Sequence, residues 1–248
     1  MRTWAVVLCL SFCSLGCGGS DDATGSGGGG GAGASGGGSA TGGTGGGTIT
    51  PGSCDPDPLK TGLVAQQTGV SVDIADCAIL EWTAQYSEPD PMIVKAMIYG
   101  ESRFDYAADG CPNLPCGVPQ GWTDAESHCF GMMQVVPACG PTAGTLGLKS
   151  DGHPNLTTDP KSPDFANSVF NPNVNIHIGV AGFAGNRQEV KSLFPGCTED
   201  QYTLMALGNL ASHGSTKGCT EYKQDYIDYI MPAYLEYSAA AGYTPHPY

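Results

Sequence analysis

A mainly α-helical domain is predicted for residues 54 to 248, and three observations predict it. Apolar residues recur at helical spacing in several separate stretches, no convincing run of alternating apolar and polar residues appears, and Asx–proline pairs stand where helices would begin. About two hundred residues are enough for one domain with a sizeable core.

The elements follow in order. Asp73 is placed to cap a segment running through Ile74, Cys77, Ala78, Leu80 and Trp82 to about Tyr86. Asp90 then serves as N-cap, with Pro91 at the first helical position, of a helix holding Met92, Ile93, Val94, Ala96, Met97, Ile98 and Tyr99. That helix is apolar on nearly every face and belongs in the core. From Ser102 to Phe130 glycines and prolines predict a loop that Cys111 and Cys116 could staple, and Gly140 to Asp164 is again irregular. Asn171-Pro172 opens a helix with Val174, Ile178, Ala181 and Phe183 on one side, and a further helix runs from about Glu199 to Ser212. The final helix, Glu221 to about Ala240, sets Tyr222, Tyr226, Tyr229, Ile230, Ala233, Tyr234 and Tyr237 at helical spacing, with Pro232 as a kink. This tyrosine stripe reads as packing.

The amino-terminal quarter has a different composition. Residues 1–16 carry Arg2 and the apolar run Trp4 to Leu10, the layout of a secretory signal peptide too short to span a bilayer. Leu15-Gly16-Cys17-Gly18 resembles the bacterial lipoprotein processing box, which implies export, acylation of Cys17 and attachment to a bacterial membrane through that lipid, facing the periplasm or cell surface. Seventeen glycines lie among the thirty residues from Gly18 to Gly47, so residues 17–53 are expected to form a disordered tether with a reach of about 30–36 Å.

Of eleven cysteines, eight remain once Cys9, Cys13 and Cys17 are set aside: Cys54, Cys77, Cys111, Cys116, Cys129, Cys139, Cys197 and Cys219. In an exported chain an even number favours disulfides, with the pairing left open. A zinc cluster of Cys111, Cys116, His128 and Cys129 is the competing reading, disfavoured because the spacing matches no tight ligand pair. No metal is expected, and His128, His153, His177, His213 and His246 show no ligand spacing. A net charge of −14 without a basic patch argues against nucleic acid as a partner.

Glu101 closes the most apolar helix and is followed at once by Ser102 and an irregular loop. Burial there would favour the neutral carboxylic acid, able to donate a proton near neutrality. By itself this is also what a surface glutamate at a helix end looks like.

Context adds to it. Ala96-Met97-Ile98-Tyr99-Gly100-Glu101-Ser102-Arg103-Phe104 is followed by Gly131-Met132-Met133-Gln134-Val135-Val136-Pro137 and by Phe170-Asn171-Pro172-Asn173-Val174-Asn175-Ile176-His177-Ile178-Gly179. Together these resemble the soluble lytic transglycosylase family: an apolar helix ending in Glu-Ser, a Gly-Leu-Met-Gln motif here carrying Met132 for leucine, and an Asn-Ile pair starting a helix. The resemblance spans about Asp90 to Tyr237. It implies a lysozyme-like fold and cleavage of the bond between N-acetylmuramic acid and N-acetylglucosamine in peptidoglycan, with Glu101 as the acid. It also implies substrate-facing roles for Ser102, Met133 and Gln134 and needs no cofactor. The family's Tyr-Asn motif fits poorly, because Ala206-Leu207-Gly208-Asn209 keeps the asparagine and has glycine for tyrosine; Tyr99 or Tyr202 could fill that gap. Two other readings compete: a goose-type lysozyme-like hydrolase with a second acid among Asp105, Asp109, Asp124 and Glu126, and an inactive peptidoglycan-binding lipoprotein.

Overall fold

The computed structural model describes residues 54–55, 57–88, 90–110, 118–139, 146–211 and 216–248. The expected signal peptide, the lipidation at Cys17, the glycine-rich tether, Cys111, Cys116 and His213 lie outside them. The described chain is mainly helical: α1 (Asp76–Gln85), α2 (Pro91–Ser102), α3 (Pro172–Leu193), α4 (Glu199–Ala211) and α5 (Asp225–Ala241). A two-residue antiparallel ladder, β1 (Asp109–Gly110) with β2 (Cys129–Phe130), and short 3-10 turns occupy the long α2–α3 connection. The principal helix contacts run in a ring, α1 to α2 to α5 to α4 to α3 and back to α1. Among the described residues no helix is long and apolar enough to cross a membrane.

Two starts are set locally. The Asp90 carboxylate accepts from the Met92 N–H, and the Asn171 side chain accepts from the Asn173 N–H, with proline at the first helical position in both. Asp90 does more than cap: Tyr234, Tyr243 and Tyr248 donate their hydroxyls to it at 2.7, 3.1 and 2.9 Å. Residues Met92 to Ile98 are all buried. Each large apolar side chain among them contributes about 1.5–3 kcal/mol by leaving water, so the helix is held by its surroundings on every side.

Asp73 does not cap α1. Its carboxylate instead accepts from the Thr61 and Gly62 N–H groups and from the Lys95 ammonium, and α1 begins at Asp76 without a side-chain cap. Lys95, wholly buried in the middle of α2, demands that arrangement: an ammonium out of water needs anionic partners, and Asp73 and Asp76 lie 2.7 and 2.8 Å away. The final helix starts at Asp225, later than its periodicity suggests, because Gly218 to Glu221 forms a turn.

Cys54 pairs with Cys77, tying the segment before α1 to that helix, and Cys197 pairs with Cys219 across the α4 region. Cys129 is disulfide-bonded as well, which removes it from any zinc set.

Candidate active site

Glu101 sits in the last turn of α2, where helix gives way to loop. The residue is partly exposed, yet its Oε2 is out of contact with solvent and has no hydrogen-bond partner among the described residues. Oε1 accepts from the Tyr226 hydroxyl at 2.6 Å. Burial pushes the Glu101 carboxyl up to about 8, against smaller opposing effects from the Tyr226 hydrogen bond and the Arg103 charge. Burial and the neighbouring carboxyl push the Tyr226 phenol well above its usual range, so it stays a donor. A carboxylic acid held neutral at neutral pH, with one oxygen fixed and the other free to carry the proton, is equipped for general acid chemistry.

Tyr226 was not legible as a site residue. It lies on the stripe of α5 that reads as packing, and most of that stripe does pack: Tyr226, Tyr234 and Tyr237 are buried in the main core. Only α5 crossing α2 brings one of these hydroxyls onto Glu101; Gly100 permits the approach, since a Cβ there would stand 2.7 Å from Ile230 Cγ2 and 3.6 Å from the Tyr226 ring.

The chain leaves α2 through two consecutive left-handed residues that are not glycine, Arg103 (φ 58°) and Phe104 (φ 65°). Such conformations cost on the order of 1–2 kcal/mol each and persist where the surroundings impose them. Here Phe104 is buried edge-on to Tyr237, and Thr68 Oγ1 donates to the Arg103 carbonyl at 2.9 Å. The turn folds the Arg103 guanidinium back over the Tyr99 ring, 3.8 Å from its centroid. Among the described residues Ser102 Oγ makes only a long 3.4 Å contact to the Ile98 carbonyl.

The Gly131–Pro137 motif forms a tight hairpin. Phe130 and Val135 exchange both backbone hydrogen bonds, at 2.9 and 3.0 Å, around Gly131 (φ 71°) and Gln134 (φ 47°). Asn175, on α3 and fully buried, holds this hairpin: Oδ1 accepts from the Met133 N–H at 2.7 Å, and Nδ2 donates to the carbonyls of Phe130 and Val169 at 2.8 Å each. Gly131 must be glycine, since a Cβ would fall 2.3 Å from Asn175 Nδ2. The second and third sequence motifs therefore meet through one side chain.

That placement corrects several expected roles. Met133 is wholly buried and packs onto Gly179, whose Cβ would come 2.4 Å from the Met133 sulfur. Gln134 is 2 % exposed and donates to the Gly131 and Ala108 carbonyls, bracing the hairpin against β1. Both point inward because the hairpin they sit on packs against α3, so neither side chain lines a surface. Asn209 is buried too, donating to Asn186 Oδ1 at 3.3 Å. Tyr99 is occupied beneath Arg103 and edge-on to Tyr237, and Tyr202 bonds the Gly196 and Cys197 N–H groups, so neither replaces the missing tyrosine at Glu101. At Gly208 a Cβ would stand 3.0 Å from the Lys223 backbone and Tyr222 Cβ. Gly208→Tyr, which restores the family's expected pair, is accordingly expected to destabilise the protein by about 2–3 kcal/mol, read as a lower thermal midpoint.

Three of the four acidic residues weighed as a second acid have partners of their own. Asp105 accepts from the Ala107 N–H, Asp109 pairs with His128 at 3.0 Å, and Glu126 caps the Thr123 turn and pairs with His153 at 3.1 Å. Asp124 lies exposed in the same 3-10 turn. His177 stacks on Trp82 at 3.6 Å and bonds the Tyr86 hydroxyl, joining α1 to α3.

No known family, characterised protein or solved structure matches this chain.

Proposed function

We propose that the chain is an exported, lipid-anchored lytic transglycosylase with a lysozyme-like fold, cleaving the β-1,4 bond between N-acetylmuramic acid and N-acetylglucosamine in peptidoglycan. The observation that carries this reading is the Glu101 carboxyl: raised to about 8 by burial, braced by Tyr226 at Oε1 and, among the described residues, without a partner at Oε2. The order of motifs around it supports the same reading.

In this mechanism Glu101 gives its proton to the glycosidic oxygen as the bond to C1 breaks, and the acetamido oxygen of the muramic acid steadies the oxocarbenium-like centre. The carboxylate then takes the proton of the sugar's own C6 hydroxyl while that oxygen bonds to C1. Glu101 is restored, no water is consumed and the product ends in a 1,6-anhydro sugar. A second carboxylate, required by a conventional glycosidase, is not needed. The pairing of Asp109 with His128 and of Glu126 with His153 favours this single-acid route over the hydrolase.

Mass spectrometry of fragments released from purified peptidoglycan tests the proposal. Anhydro-muramyl ends are expected. Free reducing ends would replace the lyase by a hydrolase, and tight binding with no fragments would replace both by a wall-binding lipoprotein.

A further inference from the structure

We infer that Arg187 is a pH-sensitive latch within the ring of helices, held by Glu199 of α4 while the buried Glu88 is neutral and drawn onto Glu88, in the α1–α2 connection, once that carboxyl ionises. The parts meet at one guanidinium. Arg187 lies on α3 with its side chain 7 % exposed, and its three nitrogens face different groups: Nε donates to Thr203 Oγ1 at 3.2 Å, Nη2 donates to Glu199, and Nη1 stands 3.8 Å from Glu88 Oε2. The first two contacts tie α3 to α4; the third is an ion pair too long for a hydrogen bond. Glu88 is turned inward as the chain leaves α1. Ser87 takes a left-handed φ of 55°, and the Glu88 N–H donates to the Thr83 carbonyl at 2.8 Å. The Glu88 side chain is 0 % exposed, and neither of its oxygens has a hydrogen-bond partner among the described residues. The contrast with Asp90, two residues on, is complete, since that carboxylate takes three phenolic hydroxyls and the Met92 N–H.

A carboxyl so placed makes different demands in its two states. Neutral, it needs no counter-charge and leaves Arg187 to Glu199. Ionised and out of water, it needs a cation within hydrogen-bond reach. A movement of about 1 Å closes the 3.8 Å gap to Nη1 to the length of a charge-assisted hydrogen bond. Glu199 can yield the guanidinium, because its side chain is 61 % exposed and keeps Lys191 at 2.7 Å. The Lys191 hydrogen bond first, and then Arg187, hold Glu199 below the usual carboxylate range, so Glu199 stays anionic and the exchange turns on Glu88. The titratable and charged groups facing Glu88 are Arg187 and Lys191 from α3, Asp90 at the start of α2 and Tyr248 beyond α5, while Glu199 of α4 is bound by both of those cations. Burial dominates this set and pushes the Glu88 carboxyl up to about 7. Below that pH the latch secures α4; above it, the latch secures the connection that leads into α2.

The latch is independent of the proposed reaction and is read without substrate. The test follows the Arg187 Nε–Hε resonance of the full chain by nitrogen-15 NMR from about pH 5 to 9, assigned through bonds from the backbone. In wild type the resonance is expected to step once, at a midpoint of about 7 shared with one glutamate carboxyl in carbon-13 spectra, and Glu88→Gln is expected to lose the step. A resonance flat across that range, or a step that survives in Glu88→Gln, overturns the inference. Should Glu88→Gln not fold, Glu101→Gln decides, because it removes the other glutamate that burial raises above neutrality. The Arg187 step must then persist and share its midpoint with a remaining glutamate carboxyl; a step that disappears, or that no glutamate carboxyl accompanies, overturns the inference equally.

Discussion

Replacing Glu101 by glutamine is expected to abolish turnover and at the same time to make the protein more stable, increasingly so as the pH rises. The amide retains an oxygen for the Tyr226 hydroxyl but has no proton to give, and removal of a general acid lowers rates by about 10²–10⁴-fold or more. The stability effect follows from linkage. The carboxyl has an ordinary value of 4.5 in the unfolded chain and about 8 when folded, so between these pH values the folded state holds a proton the unfolded state has lost. Any stabilisation by that proton is complete below 4.5 and disappears as pH climbs through about 8. Glutamine carries no such penalty; its gain over wild type is absent in acid and reaches at most about 3 kcal/mol near neutrality, less the cost of burying an amide N–H₂ without a partner. Asp76 and Glu88, which burial pushes to about 7, slope in the same direction, so the quantity to measure is the difference between the two proteins in urea melts across pH. A difference that does not grow between pH about 5 and 8 would mean that Glu101 ionises freely, and the proposed acid would lose its basis.

Asn175→Ala is expected to cost about 3–5 kcal/mol, lowering the thermal midpoint by about 10 °C or more. Two buried backbone groups, the Met133 N–H and the Val169 carbonyl, lose their side-chain partner together, and the Phe130 carbonyl is left with the Val135 N–H alone. An apolar alanine cannot replace any of them, and Gly131 packs directly against the missing amide. Hydrogen exchange read at residues 130 to 135 should accelerate well before the helices do, because among the described residues the hydrogen bonds from α3 to the hairpin come from Asn175. Exchange rising uniformly across the chain would show instead that hairpin and helices open as one unit.

The helix starts at Asp90-Pro91 and Asn171-Pro172 were legible because cap and first turn lie within three residues of each other, and the burial of α2 was legible because its apolar residues leave no polar face. Glu101 stood out for the same local reason. What escaped the sequence was set by contacts across the fold. Asp73 looks like a cap until Lys95, 22 residues on, takes its carboxylate; Tyr226 looks like packing until α5 lays its hydroxyl on a glutamate 125 residues earlier. Met133 and Gln134 were recognisable as a motif, but a motif does not say which way its side chains turn. Positive φ at Gln134 and the grip of Asn175 turn them into the protein.

Asp90 also bears on how this chain is made. The helix bearing the acid at one end is anchored at the other by hydroxyls from Tyr234, Tyr243 and Tyr248, which are synthesised about 150 residues after it. A nascent chain emerging from the ribosome thus carries α2 with the Asp90 carboxylate short of these donors and its apolar faces uncovered until α5 and the residues beyond it arrive. Closure of the Asp90 cluster thus waits until Tyr248 has left the ribosome, so this end of α2 depends on contacts far apart in sequence.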